Sequence, residues 1–159
     1  MFYINTIIRN TITKQDKQTN ATTNKKNTII KIIAFAQLLI ASMSCVYFSS
    51  IEDVKLPDVG FVYTDKLLHM GAFIIYGMSL QVALIANMQK SSSKKIRFFV
   101  LLIAAIFAAS DEIHQSFVPG RSADILDWLA DVLGVCISLL FYNLINNILN
   151  HKILKSINS

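Results

Sequence analysis

The chain has 159 residues, the length of one domain; 53% of them are apolar, 16% are charged, and the formal net charge is +5. That is too apolar for a soluble surface. It also argues against a nucleic-acid partner, because the cations are not interleaved with aromatics as a base-stacking surface requires. Cys45 and Cys136 both fall in apolar stretches, so they read as buried, inert thiols and not as a disulfide framework.

Residues 1–28 are rich in Asn, Thr, Lys and Gln, have no apolar periodicity and read as a disordered, basic cytoplasmic tail. Four apolar blocks follow, at residues 29–48, 67–88, 98 to about 117 and about 125–148. The first is longer than the apolar core of a secretory signal and its basic leader is overlong, so an uncleaved first span is expected. A membrane helix needs about 20 apolar residues. The fold expected is therefore all-α: a four-helix transmembrane domain over residues 29–150, with residues 151–159 as a short cytoplasmic tail.

The third block reaches spanning length only by taking in an acidic motif. Its purely apolar part, Phe98 to Ala109, is about 18 Å long as a helix. A bilayer core is about 30 Å thick. If the block crosses, Asp111, Glu112 and Gln115 lie within the membrane, where ionisable groups are costly and mark functional sites.

The connecting segments alternate in charge. The first, residues 49–65, carries Glu52, Asp53, Asp58 and Asp65 against Lys55; the second, residues 89–97, carries Lys90, Lys94, Lys95 and Arg97 and no acid. Basic flanks mark the cytoplasmic side. Both termini and the second loop are thus expected inside the plasma membrane, with the acidic motifs facing out.

Three polar clusters are expected to meet on that outer side. In the first, Asp65 and His69 share a helix face with Lys66 beside them. The second contains Asp111, Glu112, His114 and Gln115 on one arc of a helix, with Gln115 between the two acids. Pro119 and Gly120 then break the helix, Arg121 stands ready for an anion or a carboxylate, and Ser122 is a candidate N-cap. The third is a stripe of Asp124, Asp127 and Asp131 continued by Gly134, which would let a neighbouring helix approach closely. Asp65 and Asp124 are explained as helix-start residues, and Trp128 as an interfacial aromatic. Asp131 is about 10 Å beyond its helix start and has no such explanation.

These motifs resemble the VanZ-like membrane proteins. The match runs through Asp65-Lys66-Leu-Leu-His69, then Asp111-Glu112-Ile-His-Gln115-Ser-Phe117-Val-Pro119-Gly120-Arg121, then Asp127-Trp-Leu-Ala-Asp131-Val-Leu-Gly134. It covers residues from about 29 to 148, and departs at Ser138, where members often carry a second Gly. The family takes its name from a protein linked to low-level resistance to teicoplanin-type glycopeptides, and it implies a role at the cell envelope without fixing a reaction.

Two functions remain open at this point. One is an enzyme acting on a lipid-linked or cell-envelope molecule, with His69 or Glu112 as general base, Asp111, Asp127 and Asp131 as further acidic groups, and Lys66, Gln115 and Arg121 holding substrate. The other is a non-catalytic binding module for an envelope precursor or an antibiotic. Oxygen ligands from Asp111, Glu112, Asp127 and Asp131 would suit a hard divalent cation such as Mg²⁺ or Ca²⁺. Zinc is disfavoured, since neither His69 nor His114 lies in a recognisable ligand spacing. Membrane lipids are the expected surroundings.

Overall fold

The computed structural model describes residues 2–52 and 64–157. Asp53, Lys55 and Asp58 of the acidic first loop lie outside the described residues, as do the side chains of Lys152 and Lys155. The chain forms α1 (Phe2–Ser49), α2 (Thr64–Asn87), α3 (Ser93–Gln115), α4 (Ile125–Ser138) and α5 (Tyr142–Ile157), with one 3-10 turn (Leu139–Phe141) between the last two. No strand occurs among the described residues.

Three helical stretches are long and apolar enough to cross a membrane: Thr13–Ser49, Thr64–Asn87 and Ile125–His151. The fold is that of a multi-pass helical membrane protein. Large apolar side chains are turned outward along these helices, among them Ile32, Ile40 and Met43 on α1, Ile75 on α2 and Leu133 on α4. Outward apolar faces of this extent suit lipid, not water. Cys136 is also exposed, on α4, and Cys45 is partly buried, so the expectation of two buried thiols holds for neither fully.

Two boundaries differ from the sequence reading. The polar leader is helical from Phe2 onward and continuous with the first apolar block. Its described side chains are largely exposed, and Thr19, Thr22 and Thr28 return their hydroxyls to the carbonyls of Gln15, Gln18 and Asn24. The fourth apolar block is interrupted at Leu139–Phe141 by the tighter 3-10 winding.

α2 is the hub, packed against α1, α3, α4 and α5. Its aromatic face meets α3, where Tyr76 stacks on Phe107 with ring centroids 4.6 Å apart and Phe73 lies beside both. Against α4 the approach is closer. A Cβ on Gly134 would collide with the carbonyl oxygen of Met70, and one on Gly77 would collide with Ser138 Oγ. Ser138 therefore fits where a smaller residue was expected, because its partner on α2 is itself a glycine. It is fully buried and accepts a hydrogen bond from Gln81 Nε2 at 3.0 Å. At the far end of α3, Arg97 donates to Asn143 at 2.9 Å and lies over the Tyr142 ring, tying α3 to α5.

Candidate functional site

The C-terminal ends of α1 and α3 and the N-terminal ends of α2 and α4 lie at one end of the bundle and carry all three polar clusters. Each cluster is positioned by its own helix. Between α3 and α4, Pro119 and Gly120 turn the chain, with Gly120 at φ 78°, a left-handed conformation that favours glycine. α4 starts two residues later than Ser122 would place it. Asp124 is the N-cap, accepting from Leu126 N–H at 2.9 Å.

The close α2–α4 contact pairs the first and third clusters residue by residue. Lys66 Nζ donates to Asp124 Oδ2 at 2.7 Å and to Asp127 Oδ1 at 2.6 Å. One turn deeper, His69 Nδ1 lies 3.1 Å from Asp131 Oδ1. Asp127 and Asp131 are both buried, Asp131 completely. Asp124 is at the rim, and the Lys66 ammonium, helped by the Leu126 N–H, holds its carboxyl below the usual range.

α3 adds the second cluster from the other side. Glu112 Oε2 accepts the backbone N–H of Asp124 at 2.8 Å, which fastens the turn between α3 and α4. Its other oxygen, Oε1, is 4.0 Å from His69 Nδ1. His69, Glu112 and Asp131 thus face one another from three helices, each offering an atom within 4.8 Å of the other two. Trp128 adds to the α3–α4 joint by donating its indole N–H to the Ala105 carbonyl at 3.1 Å, which is more than an interfacial role.

Asp111 and Gln115 turn toward α1. Ser49 donates to Asp111 Oδ2 at 2.6 Å, and Gln115 Nε2 donates to the same oxygen at 3.2 Å. His114 is on the exposed edge of the arc, with Nε2 2.9 Å from Ser50 Oγ. Arg121 donates to the Phe48 carbonyl at 3.3 Å; no carboxylate among the described residues is within ion-pair distance of it. Ser49 and Ser50 were not among the expected site residues. The signal was slight: two serines where an apolar block ends.

Three carboxylate oxygens are left over. Asp111 Oδ1, Glu112 Oε1 and Asp131 Oδ2 are buried and meet no hydrogen-bond donor among the described residues. Buried polar atoms are normally satisfied, and an unsatisfied charged one is costly. The arrangement can exchange protons, hold a cation or orient a polar group brought from outside.

Fold and site together define a multi-pass helical membrane protein with a buried acidic centre at one end of the bundle. The chain belongs to the VanZ/LLP1 family, whose pattern matches residues 1–146. Comparison with curated proteins and with solved structures finds no match.

Proposed function

We propose that the chain spans the plasma membrane four times, with both termini and residues 89–97 on the cytoplasmic side, and that its acidic end acts as an enzyme on a lipid-linked or other cell-envelope molecule at the outer face. Supporting the fourth span, α3 has 23 residues and is about 34 Å long, against about 30 Å of bilayer core. Supporting the orientation, Lys90, Lys94, Lys95 and Arg97 lie at the opposite end of the bundle from the acidic clusters.

One observation carries the functional reading. Glu112 Oε1 and Asp131 Oδ2, from the two carboxylates that approach His69 Nδ1, are buried without donors. Residues kept only to orient helices would be expected to satisfy one another, because unsatisfied charge inside a membrane protein is penalised. Here Glu112 and His69 are the proton-transfer groups, and Asp131 fixes the imidazole. Lys66 has one N–H left after bonding two carboxylates and, with Arg121 at the rim, attracts an anionic head group. Altering an envelope precursor would change the supply of a glycopeptide's target, which is the resistance role the family name suggests.

The test is a product screen by mass spectrometry: the protein in lipid nanodiscs is incubated with envelope lipids, alongside labelling of single-cysteine variants in intact cells. Turnover of one lipid class is expected, with position 119 labelled from outside and position 93 protected. Tight binding of an envelope precursor with no product would replace the enzyme by a binding module, and the reverse labelling pattern would remove the outward site.

A further inference from the structure

The leftover oxygens have a sharper consequence. We propose that His69, Glu112 and Asp131 bind one divalent first-row transition-metal ion, of the Zn²⁺ or Mn²⁺ type, through His69 Nδ1 and one oxygen from each carboxylate. The inference rests on the reading of this cluster as the functional site and changes the roles within it: His69, Glu112 and Asp131 would hold the ion, and a water on the ion would supply the proton transfer assigned above to Glu112 and His69.

Several observations converge on these three residues. Ligand atoms about 2.1 Å from an ion and about 90–110° apart are roughly 3.0–3.4 Å from one another. His69 Nδ1 is 3.1 Å from Asp131 Oδ1 and 4.0 Å from Glu112 Oε1, so the first pair already has the spacing of two ligands and the second needs a shift of less than 1 Å. Glu112 Oε1 and Asp131 Oδ2 have no donor, and their residues are 6% and 0% exposed. Second contacts hold the ligands in place: the Asp124 N–H fixes Glu112 through Oε2, and the Gly134 contact with α2 sets Asp131 against His69.

Charge balance points the same way. Asp111, Glu112, Asp127 and Asp131 are buried together at this end, and the ammonium of Lys66 is already divided between Asp124 and Asp127. A divalent ion offsets two of the remaining charges. The neighbouring groups are less suited to bind it. Asp127, which forms a second such group with Asp65 and His69, is bonded to Lys66, whose charge would repel a cation. Asp111 has Oδ2 committed to Ser49 and Gln115.

The imidazole decides the type of ion. Ca²⁺ and Mg²⁺ prefer oxygen alone, whereas a mixed nitrogen and oxygen set suits Zn²⁺, Mn²⁺ or Fe²⁺. Three protein ligands leave positions open for a substrate oxygen or a water, the pattern of a catalytic ion and not of a closed structural one.

The experiment uses the full chain in detergent, stripped with a chelator and titrated calorimetrically with Zn²⁺ or Mn²⁺ alone. One ion per chain is expected, with Glu112→Gln, Asp131→Asn and His69→Gln each weakening binding at least about tenfold and Asp65→Asn leaving it within about twofold. Failure of the wild-type chain to bind either ion, or equal binding by all four variants, overturns the proposal. If a ligand variant does not fold, pulsed EPR of Mn²⁺ on the wild-type chain decides: coupling to one ¹⁴N nucleus is expected, and its absence removes His69 from the site. These readouts do not depend on turnover. A metal-bound chain that converts no envelope lipid refutes the enzyme alone, and an active chain without metal refutes the ion alone.

Discussion

Gly134→Ala should loosen the bundle and open the site in one step. The added Cβ would collide with the Met70 carbonyl oxygen and lie 3.2 Å from Ile74 N. Both obstacles are backbone, so no side-chain rotation relieves them. Reaching ordinary contact distance requires α2 and α4 to separate by roughly 1 Å. The substitution gains about 1 kcal/mol in helix propensity and loses about 1–3 kcal/mol to overpacking. Because the collision is with backbone, the loss is at the upper end, and a net destabilisation of about 1–2 kcal/mol is expected. Asp131 lies one turn before Gly134 and His69 one residue before Met70, so the same separation stretches their 3.1 Å contact beyond hydrogen-bonding range. Gly71→Ala is the internal control. Nothing lies within 4 Å of a Cβ there, and only the propensity gain applies. Unfolding by SDS titration in mixed micelles should therefore give the two variants opposite signs, about 2–3 kcal/mol apart. A Gly134→Ala chain as stable as Gly71→Ala would refute the close-packed α2–α4 interface.

Three other outcomes are expected. Gly77→Ala should destabilise the bundle by about 1–2 kcal/mol, and adding Ser138→Gly should restore much of the loss in the same titration, since it moves the small residue across the interface. Recovery would fail if the two positions did not touch. Ser49→Ala should cost about 1.5–3 kcal/mol in a thermal-denaturation assay, because it deprives the buried Asp111 carboxylate of its 2.6 Å donor; a loss below about 0.5 kcal/mol would place that end of α1 elsewhere. The Asp124 carboxyl titrates below 3.8 in the folded chain, so its contribution is complete above that pH and fades as pH falls through the folded value. Asp124→Asn should therefore be somewhat less stable than the wild type at neutral pH, converge with it under acid and so show a shallower acid decline, and an unaltered acid profile would contradict the Lys66 pairing.

The helices were the most legible part of the chain. Apolar runs bounded by polar turns place α2 within about three residues and α3 within about five, since span length and turn chemistry both act locally. The helical leader was hidden because a helix needs only i to i−4 backbone bonds, which a polar sequence without an apolar stripe can also make. The 3-10 turn after Ser138 was equally silent, having neither Pro nor Gly to mark it. Within the site, helical spacing put Asp127 and Asp131 on one stripe and Asp65 and His69 on another. It could not say that Lys66 takes Asp124 and Asp127 while His69 takes Asp131, because that choice is made by the depth at which Gly134 meets Met70. The same limit applies to a metal centre. Ligand spacing speaks for zinc only when two ligands lie a few residues apart in sequence, and here His69, Glu112 and Asp131 come from three separate helices.

The central claim is that the buried acids act chemically and the rim acids act structurally. The measurement is a glycopeptide-resistance or envelope-stress assay on Asp65→Asn, Asp124→Asn, Glu112→Gln and Asp131→Asn, with thermal stability followed on the same four proteins. Glu112→Gln and Asp131→Asn should abolish the phenotype while stability holds or rises, because each removes a buried charge with an unsatisfied oxygen. Asp65→Asn and Asp124→Asn should keep most of it, since Asn caps α4 about as well as Asp at position 124 and Asp65 is a first-turn acid of α2 whose charge serves the helix start. Loss of the phenotype in the two rim variants, with Glu112→Gln and Asp131→Asn still active, would contradict the account.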